Sequence, residues 1–211
     1  MTRRIAKRGI ADVKALHKPA AERIRESARE LFYLEGIRAV GVDKIVTRAG
    51  VTKPSLYRSF PSKDRLAADY LRDHGDDSLR RFDAAITGQP DDPRGQFRLW
   101  LKSLSERASK PDYRGCGVTN AAIEYPERNH PARKAAMENK RKFRARLRNL
   151  AEAMGARNGS ALADALLLLI EGAYMSGQLF TQGGPARVIV EAADMLIDAH
   201  LKAGSGRASR T

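Results

Sequence analysis

Apolar residues recur along this chain at helical spacing almost everywhere, and nowhere at the alternation a strand requires. Between Ala20 and Glu35 they fall at Ile24, Ala28, Leu31 and Phe32, which share one face of a helix. Gly36 is placed to end that helix as a C-cap. Two short helical segments follow, at about 42–49 and 53–60, separated by Gly50. Pro61 breaks the chain, and Ser62 can cap a longer helix to about His74. Further helical stretches are expected at about 76–87, 94–109, 117–125, 131–154, 160–181 and 185–203, divided by proline- and glycine-rich breaks. Pro93, Pro131 and Pro185 sit where a first-turn proline is tolerated, since the N–H it lacks has no intrahelical partner there. The pattern predicts an all-α protein of about nine helices.

The stretch from Val42 to Lys63, V-D-K-I-V-T-R-A-G-V-T-K-P-S-L-Y-R-S-F-P-S-K, says most about function. Ile45, Val46, Ala49, Val51, Leu56 and Phe60 are spaced to pack inward, and Gly50 lets the backbone turn sharply between the two short helices. That is helix-turn-helix organisation. Thr52 is the expected N-cap of the second helix, with Pro54 in its first turn. The exposed start of that helix offers Thr52, Lys53 and Ser55, at the end that meets base edges in a major groove. Arg38, Lys44, Arg48, Lys53, Arg58, Lys63 and Arg65 can ring the motif and reach phosphates, against only Asp43 and Asp64 in the same stretch. Lys63 also opens a helix whose positive end favours an anion.

Composition sharpens the choice of partner. The 211 residues carry a formal charge of +14, with a pI near 10.3, which points to a polyanion. Part of that charge lies in a basic arm, residues 1–18, where Arg3, Arg4, Lys7, Arg8, Lys14 and Lys18 face only Asp12. A second basic stretch, 133–148, is read as a solvated helix face, with a second polyanion surface as its alternative. Cys116 is the sole cysteine, so no intrachain disulfide or cysteine-based zinc site is available. His17, His74, His130 and His200 lack metal-ligand spacing, and no metal or cofactor is expected. No P-loop, dinucleotide fingerprint or nucleophile elbow occurs, and an enzyme is not expected. The arm has no export-type apolar core, and the longest apolar run, Ala165 to Ile170, is far short of a bilayer span; a cytoplasmic protein without a membrane partner is expected.

The order A-G-V-T-K-P-S-L-Y-R-S-F-P-S-K-D, preceded by the Ile45 helix and by Leu31-Phe32, resembles the TetR family of bacterial regulators. The resemblance implies that Thr52, Lys53, Pro54, Ser55 and Tyr57 lie at the groove, with Tyr57 and Lys63 on phosphates and Thr47 and Arg48 contributed by the supporting helix. Tyr57 keeps a second reading as a core aromatic. Two departures stand out: Ser59 occupies a position where the family often has His, and Val40-Gly41 precedes the supporting helix where the family often has a Thr or Ser cap. The division expected is a basic arm over 1–18, a helix-turn-helix domain over 19–68, an effector-binding and dimerisation domain over 69–203, and a tail over 204–211.

In the larger part, the 160–181 helix is apolar nearly all round, so it needs cover on both sides. Together with the last helix it is expected to form a two-fold, four-helix interface between two chains, through Leu162, Leu166, Leu169 and Ile170 and through Val188, Ala192, Met195, Leu196 and Ala199. The resemblance also implies an effector pocket. Phe97, Trp100, Leu101 and Leu104 are candidate linings from one helix; Cys116, Asn120 and Ile123, Phe143 and Leu147, and Tyr174 and Gln178 are candidates from others. Cys116, near Arg114, is either a small buried side chain or an accessible sensor thiol. The expected protein is a homodimeric repressor that a small-molecule effector releases from a palindromic double-stranded operator. The alternative is an architectural DNA-binding protein with little sequence specificity.

Overall fold

The computed structural model describes residues 18–88, 91–180 and 182–201. The expected basic arm, Lys18 apart, and the tail over 204–211 lie outside the described residues. Among the described residues the regular structure is entirely helical. The helices are α1 (Ala20–Glu35), α2 (Val42–Ala49), α3 (Lys53–Ser59), α4 (Lys63–Ile86), α5 (Pro93–Ala108), α6 (Gly117–Glu124), α7 (Pro131–Ala153), α8 (Gly159–Phe180) and α9 (Ile189–Leu201), with a 3-10 turn at Pro185–Val188 leading into α9.

Helix ends follow local chemistry. Thr52 accepts the backbone N–H of Ser55 at 3.4 Å and Ser62 that of Arg65 at 3.1 Å, so each hydroxyl satisfies an amide that its helix leaves open. Gly41 precedes α2 without any side-chain cap. Gly50 adopts φ 60°, ψ 43°, the left-handed conformation that ends α2 and turns the chain into α3.

One expected boundary is absent. The helices anticipated at 62–74 and 76–87 are a single rod of 24 residues, α4. Gly75 is buried in its middle, where a Cβ would collide with the Asn139 side chain of α7. This glycine serves close helix approach rather than termination. α4 therefore runs straight across position 68/69 and packs along α7, the most extensive helix pairing among the described residues.

Two apolar cores result. The first joins Ile24, Leu31 and Phe32 of α1 to Ile45, Leu56, Phe60, Leu66 and Leu71, and draws in Ala121, Tyr125 and Ala135 from the larger part. The second gathers Phe82, Phe97, Leu101, Leu104, Leu147, Leu162, Leu166, Ile170 and Ile197. α8 is long and apolar enough by composition to cross a bilayer. Here its inner stripe packs on α7 and α5, and its Asp164 and Glu171 pair with Arg144 and Lys140 of α7.

Candidate nucleic-acid interface and adjoining cavity

α3 is anchored from below and open above. Leu56 and Phe60 are buried, while Val51 packs on the same core, which fixes the helix against α1 and α2. Thr52, Lys53, Pro54, Tyr57 and Arg58 are exposed and Ser55 half-buried. Tyr57 is 49% exposed, so its ring belongs to the surface rather than to the core. The Ser55 hydroxyl lies 3.1 Å from that of Thr52 and accepts from Arg58 at 2.9 Å, which holds the polar tip of α3 in one arrangement.

The surrounding cations are held by weak partners. Lys53 reaches Asp43 at 2.8 Å, Arg38 reaches Glu127 at 3.2 Å, Lys44 pairs with Glu35 and Arg48 with Glu30. The hydrogen bond it donates to Asp43 raises Lys53 above its usual 10.5, so it remains an ammonium. Exposed pairs of this kind contribute little, so a phosphate can displace the carboxylates readily. Thr47 is exposed on α2 beside them. Lys63 differs: it is half-buried and donates to the Arg38 carbonyl at 3.2 Å, and burial pulls it below its usual value.

A second set of contacts ties this surface to the larger part. The Arg38 N–H donates to the Glu124 carboxylate at 2.7 Å, and the Arg38 guanidinium lies 5.1 Å over the Tyr125 ring. Tyr125 stacks on His130, which approaches Asp64 at 3.5 Å. The C-terminal end of α6 thus grips the loop that enters α2. Nothing in the spacing of Glu124 or Tyr125 signals this, because their partner lies 86 residues away.

The other end of α6 abuts a cavity of about 790 Å³. Tyr33, His74, Arg81, Trp100, Arg107, Lys110, Tyr113, Cys116 and Tyr174 are among its walls. Of the expected linings, Trp100, Cys116 and Tyr174 are there. Phe97, Leu101, Leu104 and Leu147 are instead fully buried in the second core, because the apolar stripes of α5 and α7 face each other's neighbours rather than open space. Phe143 borders a recess of about 20 Å³ behind Cys116 rather than this cavity. Asn120 donates to the Arg114 carbonyl at 2.7 Å and accepts from Gln178 at 3.4 Å, outside the cavity wall, and Ile123 is 62% exposed on the surface. Tyr33, Tyr113 and the three cations escaped the sequence reading: Lys110 and Tyr113 come from the loop between α5 and α6, and Tyr33, Arg81 and Arg107 from three different helices, so no single helical stripe announces the wall.

Cys116 is half-buried in that wall, with the Lys140 ammonium 3.5 Å from its sulfur. Lys140 also pairs with Glu171, which accepts from Thr119 at 2.7 Å. Burial alone would lower Lys140, yet Cys116 and Glu171 together hold it above its usual value. Burial, helped by the Arg29 and Arg81 charges, holds His74 down at about 4, a neutral imidazole at neutral pH.

The expected interface residues divide by face. Leu162, Leu166 and Ile170 are fully buried in their own chain and cannot also cover a partner. Leu169, Ala192 and Leu196 are half-buried, and Ala199 is exposed. Of the expected residues, Val188 in the 3-10 turn and Met195 of α9 are exposed, and Leu168, Met175 and Leu179 of α8, which were not expected, join them in an apolar face left uncovered among the described residues. Because α8 is apolar all round, its sequence could not separate the inward stripe from the outward one.

Comparison with known proteins places these features in context. The family model for bacterial regulatory proteins, tetR family, matches residues 24–70. A TetR-family transcriptional regulator from Streptomyces coelicolor is similar in structure, with TM-score 0.70, 31% identity, and coverage of 86% of this chain and 94% of that one. A protein of Streptomyces avermitilis assigned to the tetR transcriptional regulators superposes with TM-score 0.75 at 28% identity, over 87% and 98% of the two chains. The HTH-type transcriptional regulator LmrA of Bacillus subtilis is 31% identical over 119 residues, 56% of this chain; the match spans 63% of LmrA, less than two thirds of its length.

Proposed function

The chain belongs to the TetR family of bacterial transcriptional regulators, and we propose that it is a homodimer that reads a palindromic operator in the cytoplasm and leaves it when a small molecule fills the cavity beside α6. The observation that carries this reading is α3, which Leu56 and Phe60 root in the core while Thr52, Lys53, Pro54 and Tyr57 stand clear of it. Such a helix can enter a major groove with its N-terminal residues at the base edges. Lys44, Thr47, Arg48 and Arg58 flank it for the backbone, with Arg38 and Lys63 at the loop behind.

Dimerisation supplies the specificity. The exposed face of α8 and α9 is proposed as the two-fold contact, which would set two copies of α3 about 34–36 Å apart, one turn of DNA. The effector step rests on α6, which touches the cavity at Cys116 and the DNA-reading part at Glu124. A ligand releases DNA only if it binds the released arrangement more tightly than the bound one.

The test is selection of bound duplexes from a random library at near-physiological salt, with the intact protein and Tyr57→Ala in parallel. A palindrome enriched by the intact protein and lost in Tyr57→Ala is the expected result. Enrichment of shapeless DNA by both would replace this reading with that of an architectural DNA binder. The family's known members in these comparisons are regulators rather than enzymes.

A further inference from the structure

We propose that the cavity is built for a flat aromatic anion, one that carries a carboxylate; this rests on reading the cavity as the effector site. Two features of the wall point the same way. Aromatic side chains come from four elements, with Tyr33 on α1, His74 on α4, Trp100 on α5 and Tyr174 on α8, so a planar ring meets a π-face or ring edge from several directions. Trp100 is itself fixed by stacking on Phe97 and by an edge contact with Phe82, so this part of the wall is preorganised.

Charge is the second feature. Arg81, Arg107 and Lys110 line the cavity against Asp112 alone. Glu171, the acid behind Cys116, is neutralised by Lys140. His74 is neutral at pH 7 and adds no charge of its own. A cationic ligand would meet an excess of like charge, whereas a carboxylate can take a bidentate hydrogen bond from either arginine.

The volume of about 790 Å³ suits a fused bicyclic or tricyclic ring system.

Titration calorimetry on the intact dimer tests the class with a charge series on one ring: 2-naphthoate, 2-naphthamide and 2-naphthylmethylammonium. The expected order places 2-naphthoate at least about tenfold tighter than the amide, with the ammonium weakest. Exchanging Arg81, Arg107 and Lys110 for glutamine together should bring the naphthoate affinity down to about that of the amide. All three are exposed, so the fold survives, as a thermal melt checks. Occupancy is located by Cys116, the sole cysteine of the chain, whose alkylation by N-ethylmaleimide the bound naphthoate should slow. Equal affinity for amide and naphthoate, unchanged selectivity in the triple variant, or no binding by any of the three overturns the proposal. Naphthoate that binds and protects Cys116 but leaves operator affinity unchanged at saturation would instead overturn the effector reading and leave the ligand class standing.

Discussion

His74 shows how one side chain can serve two masters. It sits against Tyr70 and Tyr33, 5.6 and 6.1 Å between ring centroids, and burial beside Arg29 and Arg81 holds it at about 4 rather than 6.5. The unfolded chain therefore takes up a proton below pH 6.5 that the folded chain refuses until about pH 4. Stability should fall as pH drops through that window, by on the order of 3 kcal/mol from this group, about 2 of it above pH 5. Chemical melts at pH 7 and pH 5 should show a smaller drop for His74→Gln than for the intact protein; equal drops would place the histidine in solvent. Gly50 makes the complementary backbone case. Its φ of 60° is the conformation that an L side chain resists by roughly 1–2 kcal/mol. Gly50→Ala should destabilise by about that amount in urea melts, and unaltered stability would show that the turn relaxes without strain.

Helices, rather than single residues, explain why part of this molecule was legible in advance. α1, α2 and α3 announce themselves because capping, turn and apolar spacing all lie within a few residues of one another: Thr52 caps α3, Gly50 turns, and Ile45, Leu56 and Phe60 face in. The cavity was not legible in that way. Its walls come from α1, α4, α5, α8 and the loop between α5 and α6, and a residue such as Tyr33 lines it because its hydroxyl accepts the Arg114 N–H of that loop. The same limit hid the outward stripe of α8 and the role of Gly75 in α4, which are settled by neighbours remote in sequence. α6 is the element on which such remote contacts converge. Its Glu124 accepts the Arg38 N–H at 2.7 Å, a bond to a charged acceptor worth about 1.5–3 kcal/mol. Glu124→Ala should therefore speed hydrogen exchange at the Arg38 amide by tenfold or more, while amides within α8 keep their protection. Unchanged exchange at Arg38 would remove α6 as the link between cavity and DNA surface.

At the scale of the whole molecule, the argument turns on which face of α8 is spent inside the chain and which is left for a second copy. Leu162 has no exposed surface, whereas Leu168, six residues on, is 75% exposed and Met195 of α9 is 72% exposed. Truncating Leu162 to alanine opens a cavity in the second core and should cost about 2–5 kcal/mol of stability. In a chain held as monomer, Leu168→Ala should cost almost nothing, because its side chain touches no core. The double variant Leu168→Glu, Met195→Glu places charge on the face proposed to meet its two-fold mate, where desolvating it would oppose association. Sedimentation should then report a folded monomer at concentrations where the unaltered chain is a dimer. With one recognition helix per particle, binding to a full palindrome should fall to the affinity of a single half-site, while circular dichroism stays helical. A dimer that persists in the double variant would move the two-fold contact away from α8 and α9, and the spacing of the two α3 helices on DNA would have to be set by another surface.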